Sequence, residues 1–139
     1  MKPRRIILPG IYLLGLIIAG FAGAALGQKA PPTAPKGVTL KVLQSLDLGP
    51  QIPAMEGYQL QLRFITFEPG GAIPLHNHRD RPAIGYVLKG THTEHREGGP
   101  TIDYGPGANW TEGRDAVHWG GNQGTTPQTM IHVQIVKKK

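Results

Sequence analysis

Residues 70–78 read Gly-Gly-Ala-Ile-Pro-Leu-His-Asn-His, and this stretch decides how the rest of the 139-residue chain is read. A strand turns alternate side chains to opposite faces, so a strand here points His76 and His78 the same way. Ile73 and Leu75 fall on the opposite alternation. Two imidazoles on one face can grip a metal ion together once further ligands arrive from elsewhere. Some forty residues later stands His118, followed by Asn122.

The signals on both sides of this stretch are those of strands. Tyr58, Leu60, Leu62, Phe64 and Thr66 alternate with Gln59, Gln61, Arg63, Ile65 and Phe67, a period of two. Glu68-Pro69-Gly70-Gly71 predicts a turn, and Ala72–His78 a second strand. Ala83–Leu88 reads as a third, closed by Lys89-Gly90, and Thr91–Arg96 as a fourth on an exposed rim. Gly98-Gly99-Pro100 and Gly105-Pro106-Gly107 punctuate the next segments, and Thr129–Val136 forms a last strand. The chain holds 20 Gly and 13 Pro, and no helix of ten residues suggests itself after residue 27. Short strands separated by Gly/Pro turns predict an all-β sandwich or barrel.

The first 27 residues stand apart. Lys2, Arg4 and Arg5 precede an apolar run over residues 6–26, and Ala25-Leu26-Gly27 has the small residues of a cleavage site, so residues 1–27 read as a secretory signal peptide. The alternative is an uncleaved membrane anchor through residues 6–26; either way the following domain faces away from the cytoplasm, periplasmic or secreted. Residues 28–37, rich in Pro, Ala and Lys, read as a linker, and residues 38–139 as the domain. Removing residues 1–27 lowers the formal charge from +6 to +3, a remainder that Lys137-Lys138-Lys139 supplies. No basic stripe interleaved with aromatics is left, which argues against a nucleic-acid partner. There is no cysteine, which excludes disulfides, thiolate ligands and a cysteine nucleophile.

Of the six histidines, His132 reads as a surface or hydrogen-bonded residue. His92 and His95, three apart, face opposite sides of their strand and read as solvated. Arg79-Asp80-Arg81 reads as a charged turn or an anion site. Trp110, Trp119 and Tyr86 are candidates for a cavity lining or for core. Asn122 could orient His118 or cap a turn.

Gly70, five residues, then His76-Asn77-His78, with Gly90 closing the segment, resembles the first motif of the cupin superfamily. His118-Trp119-Gly120-Gly121-Asn122 resembles the end of its second motif. The likeness runs from about Val38 to Val136. It implies a jelly-roll barrel (a double-stranded β-helix) holding a divalent transition metal (iron, copper, zinc, nickel or manganese) on His76, His78 and His118. Its members also include non-catalytic barrels and homodimers. Two features depart from the pattern. Ala83 occupies the place of the first motif's glutamate, and Gly113 and Asp115 replace the Pro-x-Gly of the second.

The vacancy at Ala83 leaves three readings. Three histidines alone form the site, as in the thiol dioxygenases of this superfamily. Alternatively Glu112, Glu94 or Asp80 supplies a carboxylate, Glu112 as ligand or catalytic base because it lies on the approach to His118. Or the barrel works without metal. The function expected is metal-dependent oxidation of a small molecule in a dioxygenase-like manner; the alternative is a small-ligand or partner-binding barrel.

Overall fold

Tyr58–Asn77 is one continuous strand, β2, where the sequence predicts a strand, a turn and another strand. The computed structural model describes residues 30–138 and shows why no hairpin forms. The first half of β2 is already flanked on both edges, by β1 (Lys36–Asp47) and by β8 (Gln128–Lys137), leaving no free edge for its second half. Pro69-Gly70-Gly71 instead bends the strand towards a new partner. Gly70 sits at φ +73°, a backbone open to glycine. Its N–H donates to the Asn122 carbonyl at 2.9 Å, and the Asn122 N–H donates to the Gly71 carbonyl at 2.8 Å. Beyond the bend β2 pairs with β7 (Val117–Gly121).

The remaining strands are β3 (Ala83–Lys89), β4 (His92–Arg96), β5 (Thr101–Tyr104) and β6 (Asn109–Glu112). All pairings are antiparallel, in the order β5-β4-β7-β2-β8-β3-β6, with β1 added on β2. The two ends of this path meet across the interior. Trp110 of β6 stacks on Tyr104 of β5 at 4.5 Å and on His92 of β4 at 5.0 Å between ring centres. The product is an all-β, nearly closed barrel, as the strand pattern predicts. Gly85 is required where it stands, because a Cβ there would lie 2.5 Å from the Trp110 ring.

One end of the interior is apolar: Ile65, Phe67, Val87, Trp110 and Met130 form the core, with Val38, Ile73 and Tyr104 packed against it. The rest is polar to an unusual degree. On β8 the buried residues are Gln128, Met130, His132 and Gln134, while Ile131, Val133 and Ile135 face outward and are half-buried. They continue onto Leu60, Leu62 and Phe64 of β2 and onto Ile84 and Tyr86 of β3 through the strand register. Tyr86 is therefore on the outer face, not in a cavity.

The exposed rim strand expected over residues 91–96 is instead buried on both sides. His92 and His95 are 3% and 6% exposed. His95 stacks on Trp119 of the neighbouring β7 at 3.8 Å, and its Nδ1 lies 2.9 Å from Thr101 Oγ1. An imidazole half-covered by an indole needs no water on that face, which is why a strand of polar residues can be buried on its outer face as well.

The signal or anchor helix expected over residues 1–27 lies outside the described residues. No helix among those described is long and apolar enough to cross a membrane. Strand β1 begins at Lys36, within the stretch read as a linker.

Candidate metal centre

The β2–β7 pairing sets His76 directly opposite His118, and His78 follows two residues on, immediately after the last residue of β2. The ligating atoms of the three histidines all lie within 4.8 Å of one another. His76 Nε2 and His78 Nε2 are 3.0 Å apart. Two nitrogens bound at about 2.1 Å to one ion at a right angle are about 3.0 Å apart, so the spacing suits shared coordination.

What turns these nitrogens towards one point is the opposite side of each ring. His76 Nδ1 lies 2.8 Å from the Pro74 carbonyl, and His78 Nδ1 lies 3.0 Å from the Arg81 carbonyl. A carbonyl only accepts, so each Nδ1 carries the proton and each Nε2 presents a lone pair. His118 Nδ1 is 2.8 Å from Glu94 Oε1, out of line for a linear hydrogen bond but at ion-pair distance. Glu94 is fully buried and also paired with Arg96 at 3.2 Å. His118 Nε2 is buried without a hydrogen-bond partner.

Glu112 brings a carboxylate to the same place. Its Oε2 is 3.1 Å from His78 Nε2 and 2.8 Å from His132 Nε2; its Oε1 is 3.7 Å from His118 Nε2 and accepts a 2.9 Å bond from Trp110 Nε1. His78 Nε2 thus faces another imidazole lone pair and a carboxylate, both at about 3 Å. Acceptors so placed repel unless a cation lies between them. The donor set, two oriented imidazoles, a buried unpartnered one and a carboxylate, fits a divalent metal.

The register explains where the carboxylate comes from. Ala83 of β3, at the place of the missing motif glutamate, pairs directly with Glu112 of β6. Residues paired across a ladder point to the same side of the sheet, so Glu112 reaches inward one strand away from the vacancy.

The electrostatics agree with that chemistry. Burial pushes His76 down to about 4, with smaller contributions from His118, His78 and Arg81. Burial likewise lowers His78, against the raising influence of Glu112. Both rings are thereby kept in the neutral form a metal takes. Burial alone would raise Glu112, but the hydrogen bond from His132 and the charges of His132, His78 and His118 hold it at about 2. Burial opposes ionisation of Glu94 too, and is outweighed by His118 and Arg96.

The histidines and Glu112 lie on the wall of a cavity of about 280 Å³, which Ile65, Phe67, Trp110, Met130, Arg63 and Gln134 also line. The structure therefore brings together His76, His78, His118 and Glu112, and of the three aromatics expected at a cavity it places Trp110 there. Trp119 lies elsewhere, under His95. Asp80 is exposed and Glu94 stands behind His118, so neither is the inward carboxylate. Asn122 does not orient His118. Its Nδ2 donates to the Phe67 and Thr126 carbonyls at 3.1 and 2.7 Å, and its Oδ1 accepts from Gly124 N–H, so it caps the loop between β7 and β8.

His132, which reads in the sequence as a surface or hydrogen-bonded residue, is buried and donates from Nε2 to Glu112. Arg63 and Gln134 belong to no motif, and sequence reasoning misses both. The one signal for them is the alternation of Gln128, Met130, His132 and Gln134, a polar face by pattern that proves to be the inner one.

A comparison with curated proteins finds no match. Among solved structures, the chain is similar to a putative sugar phosphate isomerase from Acidithiobacillus ferrooxidans (22% identity, TM-score 0.51), covering 66% of this chain and 58% of that one, little more than half its length. It is also similar to the polyketide cyclase RemF from Streptomyces resistomycificus (22%, TM-score 0.58, 78% and 70% covered). A third likeness is to a predicted oxalate decarboxylase from Thermotoga maritima (21%, TM-score 0.58, 77% and 92% covered). At these identities the likenesses establish the fold. The model of the cupin domain family matches residues 63–134, just over half of the sequence, and spans the HxH pair, Glu112, His118 and His132. The chain belongs to the cupin family.

Proposed function

We propose that this protein is an exported cupin that binds a divalent transition metal through His76, His78 and His118 and acts as a metal-dependent oxidoreductase on a small molecule. The observation that carries the metal reading is the pair of Nδ1–carbonyl contacts, which commits two Nε2 lone pairs to one point 3.0 Å apart with Glu112 beside them. When bound, the ion supplies Lewis acidity and, if redox-active, a route for electrons. The chain's own residues do the rest. His76, His78 and His118 hold the ion, and Glu94 and the two carbonyls fix the rings. Glu112 contributes the negative charge that the motif's glutamate would have contributed, and His132 keeps that carboxylate ionised and aimed. The apolar wall of Ile65, Phe67 and Met130 excludes water from the reacting centre. The likeness to a predicted oxalate decarboxylase supports chemistry on a small molecule without specifying the substrate here. Residues 1–27 support export by their charge and apolar pattern.

The test is elemental analysis of protein purified without a histidine tag, together with His118→Ala. Near-stoichiometric transition metal that the substitution removes is the expected result. Sub-stoichiometric metal that His118→Ala does not lower further would sink the reading.

A further inference from the structure

The cavity beside the three histidines contains a charge that the metal site does not use. Arg63 rises from the inner face of β2, half-buried, and lines the cavity together with Ile65 and Phe67 of the same strand face. Its hydrogen-bond partners are neutral: Nε and Nη2 donate to Gln61 Oε1, and Nη1 donates to Gln134 Oε1. No ion pair among the described residues includes it. The second guanidinium at the cavity, Arg81, donates to the Asn77 carbonyl and is likewise without an acid. Burial, and then Arg81, lower the affinity of Arg63 for its proton, the signature of a cation in want of a counter-charge.

A guanidinium has five N–H donors in a fixed plane. Three are taken by Gln61 and Gln134, which leaves one on each terminal nitrogen, the number that the two oxygens of a carboxylate accept. The group is also tied to the metal centre. Gln134 Nε2 donates to the Arg81 carbonyl at 3.1 Å, and that same carbonyl accepts from His78 Nδ1. One side chain and one carbonyl thus set the position of Arg63 relative to His78.

We propose that the cavity binds a small organic acid, with its carboxylate on Arg63, its apolar body against Ile65, Phe67 and Met130, and its far end at the three histidines. The volume, about 280 Å³, lies at the lower edge of the roughly 300–1,000 Å³ usual for ligand pockets, which limits the occupant to a small molecule. The mostly apolar wall favours a singly charged carboxylate over a phosphate, whose second charge would cost more to desolvate. This inference rests on the proposed metal function only for what the far end meets; the anion site stands on Arg63 itself.

The test titrates hexanoate, 1-hexanol and inorganic phosphate into the full-length protein by calorimetry, with and without zinc, for wild type, Arg63→Gln and Arg63→Lys. Zinc binding is measured in parallel for each. The expected result is hexanoate bound at least about tenfold more tightly than 1-hexanol or phosphate, and a loss of about tenfold or more in Arg63→Gln with zinc binding unchanged. Arg63→Lys, which keeps the charge and loses the two-point geometry, carries the test if the glutamine variant is poorly folded, and binds hexanoate more weakly than wild type. Failure of wild type to bind hexanoate, equal binding by Arg63→Gln (or by Arg63→Lys where that variant carries the test), or equal binding of 1-hexanol overturns the proposal. Phosphate bound more tightly than hexanoate overturns the carboxylate assignment. A wild type that binds hexanoate but no zinc overturns the metal function and leaves the anion site in place.

Discussion

Two sets of histidines meet opposite fates in this protein. His76, His78 and His118 each have an acceptor beside Nδ1 and turn Nε2 towards the other two. His92 and His95 are as deeply buried, yet each lies flat on an indole, with interplanar angles of 4° and 9°. His95 has Thr101 at one ring nitrogen and Gln123 at the other, 2.7 Å from Nε2. The contrast shows that burial alone does not bring histidine nitrogens to one point. What matters is which nitrogen is occupied by the protein and whether the other nitrogens converge.

The largest test of that contrast removes a converging ring. His118→Ala lowers metal affinity by more than the roughly hundredfold that loss of an outer partner can cost, while His92→Phe leaves it intact; competition with a chelator reads both. Acid comes next. His92 is held at about 4 by burial, against the smaller raising influences of Gln128, Glu112 and Glu94. Its folded value lies below its unfolded value near 6.5, so between the two the unfolded chain binds more protons. Stability therefore falls as pH drops through that window, by about 3 kcal/mol for this ring alone. Urea titrations of the metal-free protein at pH 7 and pH 4 measure the fall, and His92→Phe removes most of that share; an unchanged slope in the variant sinks the assignment.

Glu94→Gln tests the support behind His118. With the charge at Nδ1 gone, metal affinity drops by about tenfold or more, read by calorimetry. The smallest effect belongs to His95→Phe, which keeps a ring on Trp119 and sits away from the converging nitrogens. It leaves metal content at the wild-type level, and a measurable loss would erase the distinction between the two sets.

How much of the site is legible in the chain differs by residue. His76 and His78 can be read because a spacing of two has one meaning on a strand, and His118 through its distance to Asn122. The vacancy at Ala83 is equally visible. Its compensation by Glu112 is only one candidate among three, because the answer depends on β3 pairing with β6, a long-range register that no local pattern encodes. His132, Arg63 and Gln134 are hidden by a rule that usually works. Alternation separates two faces of a strand, and the apolar face is taken as the inner one. Here the inner face of β8 serves a polar site, so the pattern is correct in period and inverted in sense.

That inversion bears on how the last strand finds its place. A slip of one residue exchanges the two faces of a strand, and in most sheets the exposure of apolar side chains forbids it. In β8 the same slip would carry Ile131, Val133 and Ile135 inward, so hydrophobic burial would reward the error. The correct alignment is instead guarded by polar bonds: His132 with Glu112, and Gln134 with Arg63 and the Arg81 carbonyl. The residues that serve the cavity's chemistry are therefore also the proofreaders of strand alignment. Replacing His132 and Gln134 together by serine, which removes those bonds and keeps the inner face polar, is expected to yield a mispaired β8, recognisable by changed cross-strand amide contacts in NMR spectra.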